Sequence, residues 1–127
     1  MQNAKFNQNN LNQNIIVQKS FALAVRIVKL YKFLIQEKKE YVLAKQILRS
    51  GTSIGANVRE AVAAYSKADF TAKMSIAQKE ASETEYWIQL LFETGYLTKS
   101  AYQSLFQDIN EVNKILAKIL ITAQNKK

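Results

Sequence analysis

The stretch FTAKMSIAQKEASETEYWIQLL, residues 70–91, decides the fold of this chain. Phe70, Met74, Ala77, Ala81, Thr84, Ile88 and Leu91 recur in it at alternating steps of four and three. That spacing is the seam of a helix packed against neighbours at crossing angles of about 20°. The middle of the seam is small (Ala77, Ala81, Thr84), which lets a bulky neighbour come close. Ser66-Lys67-Ala68-Asp69, just before it, reads as a capping box in which the Ser66 hydroxyl accepts from the Asp69 backbone N–H. Gly95, just after it, suits the left-handed position beyond a helix end.

The same pattern extends in both directions. Downstream, residues 99–123 carry Tyr102, Leu105, Ile109, Val112, Leu116 and Ile119 at seam spacing, with Thr98 as the cap. Upstream, residues 40–64 show Leu43, Ile47, Ile54, Val58 and Ala61 at helical spacing, continued by Tyr65. Gly51 and Gly55 fall inside that segment, and each costs up to ~1 kcal/mol relative to alanine in a helix interior. They mark either a break or a close crossing on small residues. Because the spacing resumes beyond them, one helix with a close contact or a local kink is expected. Residues 15–36, after Asn14 as cap, form the first helix, with Val17, Ala24, Ile27, Val28, Tyr31, Leu34 and Ile35 on its apolar side. Ile16, Leu23 and Leu30 flank that side on one edge and Phe21 on the other, so the apolar arc is wider than the stripe of about 100° that a simple surface helix needs.

Three short connections and four helices of similar length give an all-α, antiparallel up-down-up-down four-helix bundle. Residues 15–124 are its domain. Residues 1–14, with six Asn and three Gln, read as a flexible arm that Phe6 or Leu11 could order against a neighbouring subunit, and residues 125–127 as a basic tail. Composition agrees. The chain of 127 residues has no proline and only three glycines, too few to make the frequent turns of a sandwich or barrel.

Composition also narrows the chemistry. With no cysteine and no histidine, disulfides, thiol catalysis, histidine general bases and the usual zinc sites are excluded. No catalytic residue, metal or cofactor is expected. No apolar run is long enough to cross a bilayer, and the amide-rich N-terminus is unlike a signal peptide, so the expected compartment is the cytoplasm. The formal net charge of +8 favours an acidic partner, although charge of this size also serves solubility alone.

Several clusters carry competing readings. Glu80 and Glu83 lie one turn apart with Glu85 nearby. A di-metal site in a bundle needs Glu-x-x-His pairs, so ion pairing with Arg49, Arg59, Lys73 or Lys79 is the better reading. Asn57 and Glu60, at the edge of an apolar face, either fix helix register or line a ligand site. The run SGTSIG lacks the spacing and the preceding strand of a phosphate loop. Residues 15–36 carry Lys19, Arg26, Lys29 and Lys32 and no acid, which makes either a phosphate-binding face or an ordinary solvated one. Ile76, Tyr86 and Leu90 fall on the outer side of the 70–91 helix with Trp87 at the seam edge, and Leu23 and Leu30 widen the arc of the first helix. This surplus of apolar surface predicts a subunit or partner interface.

The segments LRSGTSIGANVREA (48–61), DFTAKMSIAQKEASETEYWIQLL (69–91), ETGYL (93–97) and SFALAVRIVKLYKFL (20–34) resemble the 23S rRNA intervening-sequence proteins, a family sometimes labelled ribosomal. The resemblance covers about residues 15–122. It implies an antiparallel bundle assembling into a ring, typically a pentamer, without catalytic residues. A branch similar in fold, the accessory variability proteins of diversity-generating retroelements, binds a reverse transcriptase and nucleic acid through basic surface. The resemblance further implies that Arg49, Asn57, Glu60, Glu80 and Glu83 form a structural polar network. Two functions follow as expectations: an oligomer that binds RNA or DNA through Lys19, Arg26, Lys29 and Lys32, or a scaffold that docks a protein such as a reverse transcriptase.

Overall fold

A computed structural model describes residues 10–125 as four helices: α1 (Asn10–Gln36), α2 (Val42–Val62), α3 (Lys67–Glu93) and α4 (Lys99–Asn125). No strand occurs among the described residues. Each helix packs on the next in sequence, and α1 closes the bundle against α4, the least extensive of the four junctions. The ion pairs between helices show the direction of packing. Arg49 of α2 meets Glu80 and Glu83 of α3, whereas Glu60, further along α2, meets Lys73, further back on α3. Rising numbers on one helix face falling numbers on the other, so the neighbours are antiparallel.

The α3 seam is buried as its spacing predicts: Phe70, Met74, Ala77, Ala81, Thr84, Ile88 and Leu91 are its buried residues. Ser66 Oγ accepts from the Asp69 N–H at 3.0 Å, Gly95 has φ +89°, and Thr98 Oγ1 accepts from the Ala101 N–H at 3.1 Å. In α4 the buried set is Leu105, Ile109, Val112, Leu116, Ile119 and Leu120, with Tyr102 half-buried and stacked on Phe92 at 4.3 Å between ring centroids.

The first two helices differ in detail from their sequence reading. Helix α1 begins at Asn10, so Asn14 lies inside it, exposed, and is not its cap. Its buried ladder is Gln13, Ile16, Ser20, Leu23, Ile27, Leu30 and Leu34. This is a four-three seam like that of α3, and two of its members are polar, which hides it in a purely apolar projection. Val17, Ala24, Val28, Tyr31 and Ile35 are only half-buried. Of the two residues proposed to order the arm, Phe6 lies outside the described residues, and Leu11 is in α1 and 73% exposed.

Helix α2 begins at Val42 rather than Glu40 and ends at Val62. Glu40, outside the helix, accepts from the Ala44 N–H through Oε1 at 2.9 Å, satisfying one of the first-turn donors. Tyr65 does not continue the ladder; it projects from the α2–α3 connection. Gly51 and Gly55 sit in one continuous helix. A Cβ on Gly51 would lie 2.7 Å from Ile27 Cγ1, and one on Gly55 would lie 3.4 Å from Ser20 Oγ, so the pair marks a close approach of α1 and α2.

Candidate nucleic-acid interface

The positive charge is unevenly distributed over the bundle. Helix α1 holds Lys19, Arg26, Lys29 and Lys32 and no acid, and α2 holds Lys45, Arg49 and Arg59 against Glu60 alone. Helix α3 is net acidic, with Asp69, Glu80, Glu83, Glu85 and Glu93 against Lys67, Lys73 and Lys79. The field therefore favours an anion on the α1–α2 side.

The four cations of α1 do not form one free stripe. Lys19 and Arg26 lean across the α1–α4 seam, Lys19 Nζ to Glu111 at 3.1 Å and Arg26 Nη1 to Asp108 at 2.7 Å. Arg26 Nη1 also donates to the Ser104 carbonyl at 3.3 Å. Lys29 and Lys32 are exposed and meet no acid among the described residues. Lys19 and Arg26, seven apart, share the side that faces Glu111 and Asp108, the two acids of α4; Lys29 follows one turn beyond Arg26 on the same side, past those acids, and Lys32 turns further outward.

Arg26 and Lys29 instead border an open groove of roughly 550 Å³ between the C-terminal half of α1 and the α3–α4 connection. Lys38, Phe33, Tyr96 and Thr98 also line it. Lys38 Nζ stands 5.7 Å from the centroid of the Phe33 ring, which is 39% exposed. Sequence reading passed over Lys38, as part of a charged connection, and Phe33. The available signal was a large aromatic lying outside the apolar arc of α1. On the α2 side Arg59 sits over Phe21 at 5.4 Å, a second cation–aromatic contact of the kind worth about 0.5–1 kcal/mol when exposed.

The predicted polar network separates into pieces. Arg49 Nη2 donates to Glu83 at 2.5 Å and Nη1 to Glu80 at 3.4 Å, and Trp87 Nε1 donates to Glu83 at 3.1 Å. The Arg49 hydrogen bond, then that of Trp87, holds the Glu83 carboxyl below its ordinary value. The Glu83 hydrogen bond, then the charges of Glu80 and Glu83, raises Arg49. Glu60 belongs to a separate pair with Lys73 at 2.9 Å, which raises Lys73. Asn57 turns back on its own helix and donates to the Ser53 carbonyl at 2.9 Å, so it bridges to no other helix.

The expected interface residues also divide. Ile76 and Tyr86 are exposed on α3, Trp87 and Leu90 are half-buried near Tyr86 and about three turns or more from Ile76, and the Tyr86 and Trp87 rings meet edge to face at 5.0 Å. Leu23 and Leu30 do not belong to this surface. They are 2% and 8% exposed, inside the bundle's own core, because they occupy the α1 seam. The apolar side chains that α1 does present are Leu11, Phe21, Val25 and Phe33. Among the described residues, no group of three or more acidic side chains is placed to hold a metal, and no helix is long and apolar enough to cross a membrane.

Residues 12–118 match the family described as 23S rRNA-intervening sequence protein. The chain belongs to that family. A crystal structure at 1.70 Å of an S23 ribosomal protein family member of unknown function, from Bacteroides thetaiotaomicron VPI-5482, is similar to it at 56% identity with a TM-score of 0.85. The similarity covers 87% of this chain and 98% of that one. Comparison with curated proteins gives no match. The stretch shared with the 23S rRNA-intervening sequence proteins includes all of α2 and α3 and begins two residues inside α1, so the basic helix and the groove beside it lie within the family domain.

Proposed function

We propose that this chain is a non-catalytic, cytoplasmic RNA-binding protein that acts as a homo-oligomer. The observation that carries the reading is the concentration of positive charge on α1 and α2, with Lys29, Lys32 and Lys38 facing solvent and meeting no acid among the described residues. Phosphate contacts by such lysines supply affinity with little sequence preference. Self-association repeats a modest basic surface several times, and avidity then replaces strong binding by one copy. The exposed apolar side chains of α1 and α3 support association, and a ring of five copies is what the resemblance to the family implies. The chain has neither histidine nor cysteine, which supports the non-catalytic reading.

A second reading rests on Ile76, Tyr86, Trp87 and Leu90 along the outside of α3. In it the same oligomer is a scaffold whose α3 face docks a protein partner such as a reverse transcriptase. Light scattering coupled to size exclusion, at low and moderate salt and with a generic RNA, tests the two together. An oligomer that binds RNA at low salt and releases it at moderate salt is the expected result. An oligomer indifferent to RNA overturns the first reading in favour of the scaffold, and a single chain in solution overturns the assembly on which both depend.

A further inference from the structure

We infer that the groove between the C-terminal half of α1 and the α3–α4 connection is a single-strand site, in which Lys29 and Lys38 take backbone phosphates and Phe33 stacks a base. The inference rests on the RNA-binding reading and gives it a place on the molecule.

Three observations converge there. First, the lining holds Arg26, Lys29 and Lys38 and no acid. Asp108 reaches Arg26 from α4 but does not itself line the groove. Arg26 is therefore partly neutralised and acts as a fixed wall, while the two lysines are left to a mobile anion. Second, Phe33 projects into this cationic lining with 39% of its surface exposed. Phe33 is not a member of the buried α1 seam, which runs through Leu30 and Leu34; it stands one turn beyond Leu30, which lines the same groove, and keeps part of its ring open to solvent. An exposed aromatic among lysines is the pairing that single-strand grooves use, because every base offers a π-face and every linkage a phosphate. The Lys38 ammonium near the ring is held by a contact worth about 0.5–1 kcal/mol, weak enough for a phosphate to draw it away and leave the ring face open. Third, α1 and α4 form the least extensive junction of the bundle, which is why a volume of roughly 550 Å³ opens here. That is within the range of small-ligand sites, roughly 300–1,000 Å³. A duplex keeps its bases stacked and offers no π-face to Phe33, so the groove selects single strands.

The test is fluorescence anisotropy with the full chain, using a labelled oligouridylate of about 12 nucleotides, within the site sizes of single-strand binders, and a duplex RNA of equal length. The parent is expected to prefer the single strand. Phe33→Leu keeps an apolar side chain but removes the ring and should weaken single-strand binding at least about fivefold, whereas Phe33→Tyr should bind like the parent. The double substitution Lys29→Glu and Lys38→Glu should weaken it about tenfold or more and flatten its salt dependence. Helical circular dichroism confirms that each variant is folded. If Lys32→Glu weakens binding while Phe33→Leu and the double variant bind like the parent, the groove is overturned and binding elsewhere on α1 stands. If the parent binds neither RNA even at low salt, the RNA-binding reading itself falls, and the groove with it.

Discussion

A Cβ on Gly51 would sit 2.7 Å from Cγ1 and 2.8 Å from Cγ2 of Ile27. Ile27 is fully buried at the centre of the α1 seam, and its branched side chain has little rotameric freedom in a helix. It cannot swing aside. Gly51→Ala gains up to ~1 kcal/mol of helix propensity but overpacks the crossing, at a cost of about 1–3 kcal/mol. The variant is expected to be less stable by about 1 kcal/mol in urea unfolding. Gly55→Ala is the control. Its Cβ would lie 3.4 Å from Ser20 Oγ, within ordinary contact, so the propensity gain stands and the variant should be more stable by up to ~1 kcal/mol. Equal destabilisation by both would mean that the small run serves something other than the α1–α2 approach.

The bundle also contains a small polar contact sealed from water. Thr84 Oγ1 and Ser50 Oγ are hydrogen-bonded at 2.9 Å, and both residues are fully buried. Thr84→Val leaves the Ser50 hydroxyl with only a 3.5 Å contact to the Ile47 carbonyl, and should cost about 1–3 kcal/mol. Ser50→Ala combined with Thr84→Val removes both hydroxyls, and the double variant should lose less than the sum of the two single losses. A double-mutant cycle from denaturant midpoints measures the difference, and strict additivity would show that the hydroxyls act independently.

The ease with which each helix could be read from sequence follows from what fills its seam. In α3 every seam position is apolar or small, flanked by a serine cap and a glycine stop, and the buried set matches the spacing residue for residue. In α1 the seam includes Gln13 and Ser20. Counting apolar residues alone pulled the buried face toward Val17, Val28 and Ile35 and left Leu23 and Leu30 as surface. Glycine spacing could suggest a crossing in α2 but not name Ile27 as its partner, since that depends on which helix lies alongside. The candidate site was half legible. Sequence reading located the cations of α1, but the pairing of Lys19 and Arg26 with Glu111 and Asp108 is a tertiary event across more than 80 residues of chain. The grouping of Lys38 with Phe33 and Tyr96 likewise requires two connections to meet at one end of the bundle.

Glu83 links acid sensitivity to the α2–α3 junction. Its carboxyl is held below the ordinary value, first by the hydrogen bond from Arg49 and then by that from Trp87. A depressed folded value contributes stability above the ordinary carboxylate range, near ~4.3, and loses it as pH falls through the lower folded value. Glu83→Gln abolishes that contribution. Thermal melts should therefore show the parent more stable than the variant at pH 7, by no more than about 1 kcal/mol because Arg49 is half-exposed to solvent. The gap should close as pH is lowered below about 4. A gap that stays constant down to pH 3 would mean that the bonds from Arg49 and Trp87 do not depend on the charge of Glu83.

The outer face of α3 gives the last prediction. Ile76 is 41% and Tyr86 57% exposed, Leu90 is half-buried one turn beyond Tyr86, and Trp87 is tied by its ring N–H to Glu83. None of Ile76, Tyr86 or Leu90 is needed for the seam, which runs through Ile88 and Leu91. Substituting them should leave the fold of one copy intact while changing what that copy can pack against. Ile76→Lys with Leu90→Lys places two charges where an association surface would have to desolvate them. If α3 carries self-association, the particle in light scattering should shrink toward a single chain while helical circular dichroism is unchanged. Phe21→Lys with Val25→Lys makes the same substitution on α1, where those side chains are 57% and 39% exposed. Loss of assembly in one pair and not the other identifies the helix at the interface. A ring whose copies meet head to tail uses two different surfaces of each copy, so loss in both is the outcome expected of the oligomer proposed here. Unchanged mass in both pairs would remove these two faces from the interface, and the exposed apolar residues of α3 would then be left for a partner of another kind.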